Sequence, residues 1–327
     1  MAIGIIATGS YLPETVVTND DLARRVDTSD AWITTRTGIR ERRLAAPHQA
    51  SSDLGAHAAR DALRRAGTGG DGIDVLVAAT SSPDRVQPST ASHIHAELGL
   101  TDVPAFDVGA VCSGFVYAMA TAAGLMTAFP RYQRSLVVGC ETYSRILDYQ
   151  DRSTCVFFGD GAGAVVLGAV PDGYGVLASE LLTDSSRLDV VGVPAGGSAE
   201  PASVRTVEEG RHFFTMNGRA VWDFATEALP RAVKSALATA GLDCGDVDVL
   251  ITHQANARLM EACADALSVP RDRMPMTVDR YGNTAAASVP ITLDHAVSEG
   301  RVRRGDVVVL ATVGGGMTAG AVVLRWY

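Results

Sequence analysis

Three residues in this chain are of types that carry out chemistry and lie in stretches that are otherwise apolar or built from small side chains. They are Cys112 in the segment 106–115, His253 at 252–256 and Asn283 at 281–285. A cysteine thiolate attacks thioesters, an imidazole donates or accepts a proton, and a carboxamide donates hydrogen bonds. The three groups form a catalytic constellation if the fold gathers them.

Cys112 stands between a strand-like segment and an apolar stretch with helical character. A cysteine at a helix N-terminus meets unpaired N–H groups and the positive end of the helix dipole, which lower a thiol pKa. The sequence therefore predicts a nucleophilic Cys112 that favours the thiolate. The remaining cysteines fit the more common role of small buried apolar residues; they are Cys140, Cys155, Cys244 and Cys263.

The composition excludes several classes of protein. The 327 residues are 47% hydrophobic and 20% charged, which is typical of a well-packed globular chain with room for two halves. A net charge of −9 argues against nucleic-acid binding. Five scattered cysteines argue for a reducing compartment, no apolar run is long enough to cross a membrane, and no targeting segment or metal-ligand spacing is evident. These features predict a cytoplasmic protein.

The chain repeats itself once. The pattern of helix, glycine, short loop and buried strand at 62–76 recurs at 236–250, and the six residues 162–167 recur letter for letter at 319–324. Two matches in the same order predict duplicated halves, 1–170 and 171–327. Continuous apolar strands alternate with amphipathic helices, which indicates a layered α/β fold. A pseudo-twofold axis would then bring the post-strand loops of Cys112 and Asn283 together.

Two glycine runs have different meanings. The run 159–163 precedes a strand, whereas a dinucleotide fingerprint needs a strand before the glycines and a helix after them. Tight backbone packing is the predicted role there. The run 314–316 follows a strand, and the N–H of Gly315 together with that of Cys112 could form an oxyanion hole for a thioester carbonyl. The stretch 183–209 reads as an irregular surface excursion near the entrance.

Taken together, these segments resemble β-ketoacyl-acyl carrier protein synthase III, a condensing enzyme of the thiolase fold. The resemblance covers the whole chain and is carried by 30–40, the Cys112 segment, 158–163, 253–256 and 282–284. It implies an αβαβα arrangement with two related mixed sheets, and a homodimer. Its implied partners are acyl-CoA and malonyl-acyl carrier protein, without a cofactor beyond the coenzyme A thioester substrate.

The resemblance also implies site residues. Cys112, His253 and Asn283 would be catalytic: Cys112 takes the acyl group, and the other two donate hydrogen bonds to the enolate that malonyl decarboxylation creates. Coenzyme A and its pantetheine arm would contact Thr28, Trp32, Arg36, Arg152, Gly218, Asn256 and Arg258, with the adenine between Trp32 and Arg152. The acyl group would contact Gln87, Tyr143, Phe158, Met216 and Val313.

Some positions depart from the common family pattern, which leaves the starter acyl group open; they are Gln87, Val111, Ser113, Tyr143, Arg219 and Val313. Two rival functions remain at this point. One keeps the fold and makes the protein a starter-loading ketosynthase or acyltransferase of secondary metabolism. The other is a papain-like cysteine hydrolase, whose residues also come in the order Cys, His, Asn.

Overall fold

The computed structural model describes residues 2–327. Its strands are β1 (Ala2–Tyr11), β2 (Thr15–Thr18), β3 (Glu41–Leu44), β4 (Val75–Ala79), β5 (Ala105–Asp107), β6 (Ser135–Glu141), β7 (Gly161–Val170), β8 (Gly175–Thr183), β9 (Val191–Gly192), β10 (Thr215–Met216), β11 (Val249–Thr252), β12 (Val307–Gly314) and β13 (Thr318–Arg325). Its α-helices are α1 (Asn19–Ala23), α2 (Asp30–Thr37), α3 (Ser51–Arg65), α4 (Thr90–Glu97), α5 (Gly114–Ala128), α6 (Val204–Glu208), α7 (Gly218–Thr239), α8 (Ala257–Leu267), α9 (Val278–Tyr281) and α10 (Ser288–Ser298).

Two mixed sheets share one topology. The first has the order β1-β7-β6-β4-β5 and the second the order β8-β13-β12-β11. In each sheet, the first three strands of that order are antiparallel neighbours and the third and fourth are parallel. This agreement confirms the predicted fold class of two related mixed sheets. The turn between β7 and β8 lies where the sequence predicts the division of the halves.

The strand registers show which residues of the two halves are equivalent. Gly161 pairs with Glu141 across β7 and β6, and Thr318 pairs with Gly314 across β13 and β12. Because Gly161 and Thr318 each directly precede the repeated six-residue motif, Glu141 and Gly314 occupy equivalent positions in the two halves. One position thus carries a carboxylate in the first half and no side chain in the second.

The helices form three layers around the sheets. Helix α3 packs on β1, β6 and β7, whereas α7 packs on β8, β12 and β13. Between the sheets lie α5 and α10, both of which contact strands of both sheets. The stretch Val111–Ala128 is apolar and long enough to cross a membrane, contrary to the sequence expectation, but 56% of it is buried inside the protein. It is the core helix that both sheets cover.

Each central helix is preceded by the same kind of turn. Short 3₁₀ turns at Val111–Ser113 and Ala285–Ala287 lead into α5 and α10. Their first residues have left-handed backbones, with φ of 48° at Val111 and 45° at Ala285. Such a conformation costs a residue with a Cβ roughly 1–2 kcal/mol, so the surrounding packing must hold it. Cys112 and Ala286 are therefore equivalent second residues of two strained turns.

Asn283 is positioned differently from the prediction. It follows the short helix α9 rather than a strand of its own half, and it pairs with Phe158 in an isolated parallel bridge. The glycine run at 159–163 makes this possible, because a Cβ on Gly159 would lie 2.3 Å from the carbonyl oxygen of Tyr281. Tight backbone packing, the predicted role of that run, is confirmed.

The excursion at 183–209 is more ordered than the sequence suggested. It contains a 3₁₀ segment, the strand β9 paired with β10, and α6. Elements of two to six residues are too short to display a helical or strand period of apolar residues. The sequence pattern therefore did not predict them.

A glycine allows β12 to approach the turn that carries Cys112. A Cβ on Gly314 would lie 2.7 Å from the backbone nitrogen of Ser113 and 3.0 Å from that of Cys112. Real Cβ atoms do not come that close to backbone atoms, so the turn and the strand would have to separate.

We therefore expect Gly314→Ala to lower the free energy of unfolding by about 1–3 kcal/mol through overpacking. Chemical denaturation measures this. Gly109→Ala is the matched control, because a Cβ on Gly109 meets nothing within 4 Å. Equal stability of the two variants would contradict the close approach at Gly314.

Candidate active site

One cavity brings together the three residues that the sequence singled out. Cys112, His253 and Asn283 all line it. Its other lining residues come from both halves of the chain and are mostly apolar: Phe157, Phe158, Val191, Phe214, Met216, Gly218, Val221, Trp222, Ala255, Asn256, Leu259, Val313, Gly314, Gly315 and Met317. The cavity therefore lies at the seam of the duplication, as ligand sites often do.

The Cys112 thiol faces the cavity from the turn before α5. The Thr312 hydroxyl donates to the carbonyl oxygen of Cys112 at 3.0 Å, which ties the turn to β12. Burial, and secondarily the nearby Glu141 carboxylate, raise the pKa of the Cys112 thiol. Although Cys112 keeps some exposed surface, that surface faces an apolar cavity rather than bulk water. The predicted preference for the thiolate is thus wrong, because desolvation outweighs the helix dipole.

His253 is held as a neutral imidazole directly after β11. Its backbone N–H donates to Ala311 at 2.8 Å, and its Nδ1 lies 2.8 Å from the Ser288 hydroxyl oxygen. The residue is 5% exposed, and burial lowers its pKa to about 4. Since Ser288 occupies Nδ1, the other ring nitrogen, Nε2, remains available to a ligand.

The carboxamide of Asn283 has a fixed orientation. Its Oδ1 accepts a hydrogen bond from the Ala285 N–H at 2.8 Å, and its own N–H donates to the Phe157 carbonyl at 2.8 Å. The side-chain nitrogen Nδ2 has no hydrogen-bond partner within residues 2–327. An amide group whose oxygen is already engaged can offer a ligand only its N–H donors.

The groups predicted for the oxyanion hole lie at the same end of the cavity. Gly315 lines the cavity beside Cys112, and a Cβ on Gly315 would lie 3.2 Å from the Val191 side chain. The joint role of Cys112 and Gly315 as donors stays a prediction.

The residues predicted to bind coenzyme A divide into two groups. Gly218 and Asn256 line the cavity. Trp32 lies outside its lining, with the Arg152 and Arg36 guanidinium carbons 5.4 and 5.6 Å from its ring. Arg152 also donates to the Asp27 carbonyl at 2.9 Å.

Thr28 and Arg258 are the two remaining residues predicted to bind coenzyme A. The hydroxyl of Thr28 is buried and has no partner among the described residues. Arg258 donates to the Thr35 carbonyl through Nε and a terminal nitrogen, at 3.3 and 3.2 Å. Arg258 therefore joins α8 to α2, and its other terminal nitrogen pairs with the Glu261 carboxylate at 3.6 Å.

The predicted acyl-pocket residues are only partly in the cavity. Phe158, Met216 and Val313 line it. Tyr143 instead lies behind Phe158, with the rings stacked at 4.6 Å and its hydroxyl 2.9 Å from that of Ser81. Gln87 is exposed and lies outside the cavity of its own chain.

Several site residues gave no signal in the sequence. The wall residues Phe157, Phe214, Trp222, Leu259 and Met317 are apolar and look like ordinary core positions. Glu141 is fully buried beneath the site, and desolvation raises its pKa to about 7 against the lowering effect of hydrogen bonds from Ser82 and Ser81. No cluster of three or more potential metal ligands occurs within residues 2–327.

The lowered pKa of His253 has a consequence for stability. The folded-state pKa of about 4 lies below the ordinary value of 6.5, so the unfolded chain takes up this proton first as the pH falls. The associated stability is complete near neutral pH and is lost between about pH 6.5 and pH 4. From about pH 7 to pH 4.5 this loss amounts to about 2–3 kcal/mol.

We expect His253→Gln to lose less free energy of unfolding over that pH interval than the wild type, by about 2–3 kcal/mol. Urea unfolding of both proteins at both pH values measures the change in the free energy of unfolding with pH. Subtracting the change for the variant from that for the wild type removes the contributions of the other titrating groups, Glu141 included. Identical pH responses would show that His253 titrates normally in the folded protein.

Comparisons with known proteins agree with this geometry. The family described as 3-oxoacyl-[acyl-carrier-protein (ACP)] synthase III matches residues 106–185, and its C-terminal part matches residues 237–326. A beta-ketoacyl-[acyl-carrier-protein] synthase III of Caldanaerobacter subterraneus subsp. tengcongensis is 45% identical over 326 residues, which cover 100% of this chain and 98% of that protein. The acetoacetyl CoA synthase NphT7 of Streptomyces sp. strain CL190 is 45% identical over 324 residues, covering 98% of each.

Solved structures share the fold of this chain over its full length. The priming beta-ketosynthase from the R1128 polyketide biosynthetic pathway superposes with a TM-score of 0.92 at 31% sequence identity, and the alignment covers 99% of this chain and 96% of that one. These matches extend over both halves, and the two matched ranges contain the positions of Cys112, His253 and Asn283; the family and fold they show exclude the papain-like hydrolase. The chain belongs to the 3-oxoacyl-[acyl-carrier-protein] synthase III family.

Proposed function

We propose that this protein catalyses a decarboxylative Claisen condensation between an acyl group on Cys112 and a malonyl thioester. One observation carries the proposal: a thiol, a neutral imidazole and an oriented carboxamide meet in one largely apolar cavity. This set can hold an acyl group and stabilise an enolate, but it contains no carboxylate base to abstract a proton from an acetyl group. Family membership supports acyl-CoA and malonyl-acyl carrier protein as substrates.

In the first half-reaction Cys112 is acylated. The thiol loses its proton, its sulfur bonds to the carbonyl carbon of acyl-CoA, and the carbon–sulfur bond to coenzyme A breaks, so that the proton leaves with the coenzyme A thiol. The N–H groups of Cys112 and Gly315 stabilise the oxyanion that forms on the way. Because burial raises the pKa of the thiol, the thiolate forms together with the attack rather than before it.

In the second half-reaction the malonyl thioester loses CO₂. The bond between its methylene carbon and its carboxylate breaks, and the electron pair becomes an enolate whose oxygen accepts hydrogen bonds from Asn283 Nδ2 and His253 Nε2. This role requires the proton on Nε2, so the Ser288 hydroxyl, which in the structure donates to the Ala285 carbonyl at 2.8 Å, must turn and donate to Nδ1 instead. The enolate carbon then attacks the acyl carbonyl and releases the Cys112 thiolate.

The coenzyme A thioester would reach the cavity past Trp32. The Arg152 guanidinium now lies directly over that ring, 5.4 Å from its centroid, so it would have to swing outward to admit a planar base, which cation–π contact would then hold. Arg36 and Arg258 would contact the phosphates, the free hydroxyl of Thr28 would gain a partner, and Asn256 and Gly218 would contact the pantetheine arm. The acyl chain would meet Phe158, Met216 and Val313, with Tyr143 supporting Phe158 from behind.

A specific observation favours a second candidate acceptor. NphT7, whose name states that it makes acetoacetyl CoA, is as similar to this chain as the synthase from Caldanaerobacter. The priming role of the R1128 enzyme likewise suggests starter loading in polyketide synthesis. Comparing kcat/KM for malonyl-CoA and malonyl-acyl carrier protein distinguishes the candidates: a clear preference for malonyl-CoA would favour a free CoA product.

We further propose a homodimer. The outer edge of β5 is unpaired within the described residues, and the neighbouring loop exposes 90% of Val86 beside Gln87. Pairing of two β5 edges would cover this surface and bring Gln87 toward the partner's cavity, and sedimentation equilibrium tests it. All five cysteines are unpaired, which supports a reducing, cytoplasmic location. No cofactor beyond the thioester substrates enters the proposed steps.

The division of roles predicts that Asn283→Ala separates the half-reactions. Acylation of Cys112 should proceed nearly normally, whereas CO₂ release from malonyl thioester should fall by roughly 10²–10³, because one preorganised donor is lost. Intact-protein mass measures the first step and radiolabelled CO₂ the second. Equal loss of both activities would contradict the proposed function of Asn283.

Carrier-protein docking is predicted to use the arginines beside the entrance. Carrier proteins are generally acidic, and local charge complementarity governs encounter even when net charges repel. Arg258→Glu should raise KM for malonyl-acyl carrier protein and weaken its salt dependence. Arg303→Glu is the control, since Arg303 precedes β12 at the end opposite the cavity. An unchanged KM for Arg258→Glu at low salt would place docking elsewhere.

A further inference from the structure

A buried carboxylate lies under the active site without a cationic partner. Glu141, at the end of β6, is 0% exposed, and no arginine, lysine or histidine among residues 2–327 pairs with it. Its two oxygens accept hydrogen bonds from the backbone N–H and hydroxyl of Ser81, at 2.9–3.1 Å, and of Ser82, at 3.0 and 2.5 Å. The Thr80 hydroxyl contributes another at 3.2 Å. Desolvation of a carboxylate is costly, and these donors offset only part of that cost, so the fold retains Glu141 at the expense of stability.

The internal repeat explains where this carboxylate lies. The strand registers make Glu141 the counterpart of Gly314, and the two strained turns make Ala286 the counterpart of Cys112. The Ala286 N–H donates to Glu141 Oε1 at 3.4 Å. A carboxylate oxygen of Glu141 therefore occupies, beside the Ala286 N–H, the place that corresponds to the position beside the Cys112 N–H where a substrate oxygen would bind. Glu141 fills the counterpart of the catalytic cavity, which we call the first-half cavity.

The filled first-half cavity is connected to the working one through the turn at Ala285–Ala287. Glu141 holds the Ala286 N–H, and the adjacent Ala285 N–H holds Oδ1 of Asn283 at 2.8 Å. Ala285 has φ 45°, so its turn needs outside support to keep its shape. Because the amide of Asn283 is oriented by this turn alone, any relaxation of the turn would rotate Nδ2 away from the enolate oxygen.

We propose that Glu141 is a positioning residue for the condensation: its carboxylate fills the first-half cavity and fixes the turn that aims Asn283. The inference rests on the proposed function. It assigns Glu141 to the decarboxylation half-reaction and not to acylation of Cys112, whose own turn is tied to β12 by Thr312.

Two substitutions at Glu141 test the assignment. In Glu141→Gln the side chain keeps its volume, but its NH₂ group faces the N–H donors of the serines and cannot accept from them. Glu141→Ala empties the first-half cavity. In both, CO₂ release from malonyl thioester should fall by about tenfold to a hundredfold, since misplacement of a catalytic group by about 1 Å costs up to that much. Acylation of Cys112 should stay within about twofold.

Rescue of CO₂ release by formate distinguishes a positioning role of the carboxylate from a purely structural role of the Glu141 side chain. It should enter the emptied first-half cavity of Glu141→Ala, replace the carboxylate and restore CO₂ release by about fivefold or more. The same formate concentration should not rescue Glu141→Gln, whose side chain still fills the space, and chloride at equal ionic strength should rescue neither. Glu180→Gln is the matched control, because the Glu180 carboxylate accepts from Ser235 on α7, away from the site.

The outcomes separate the inference from the proposed function. A wild type that releases no CO₂ from malonyl thioester would overturn the proposed function itself. With an active wild type, a folded Glu141→Gln with normal CO₂ release, or with equal loss of both half-reactions, would overturn the role of Glu141. If Glu141→Ala melts below the assay temperature, the isosteric Glu141→Gln decides alone; if it folds, lack of rescue by formate counts against the proposal.

Discussion

The active site depends on the close packing of a strained turn against the end of a strand. Val111 holds a left-handed backbone so that Cys112 can face the cavity, and Gly314 lets β12 come within contact of that turn. The same arrangement recurs in the other half, where a Cβ on Gly139 would lie 2.7 Å from the Ala286 carbonyl oxygen. Both central helices start from such turns. The positions of Cys112 and Asn283 therefore depend on the same arrangement, a strained turn packed against a glycine of a strand, which occurs once in each half.

Burial sets the protonation of the site and therefore its chemistry. His253 is kept neutral and Cys112 is kept a thiol because a charge on either would have to be desolvated. A site without resident charges suits a reaction in which negative charge appears only transiently on an oxyanion and an enolate, where fixed N–H donors are most effective. The buried carboxylate of Glu141 does not line the cavity and accepts hydrogen bonds from Thr80, Ser81 and Ser82.

The sequence predicted most of the topology and the three central residues, for identifiable reasons. The letter-for-letter repeat before residues 168 and 325 marks equivalent strands, and polar groups in apolar surroundings mark Cys112, His253 and Asn283. The sequence could not predict pKa values, because these depend on how deeply each group is buried in the folded protein. The helix-start position of Cys112 suggested a lowered pKa, but its desolvation is a property of the assembled cavity.

Other errors have the same origin. Val111–Ala128 was not expected to match a membrane span, yet it passes by length and composition because a helix between two sheets is apolar on every side. Tyr143 was expected in the acyl pocket; it lies outside the cavity lining and stacks on Phe158, and its contact with the acyl group stays a prediction. Glu141 went unnoticed because a single acidic residue at a strand end usually faces solvent.

The central claim is that Cys112 carries the acyl group that becomes part of the condensed product. The most direct measurement is a single-turnover chase: the enzyme is loaded with isotopically labelled acyl-CoA, freed of coenzyme A, and then mixed with malonyl thioester. The account predicts that the acyl mass appears on the peptide containing Cys112 and then moves, label intact, into a β-ketoacyl thioester as CO₂ is released. Label on another residue, or loss of the label as free acid without a condensed product, would contradict it.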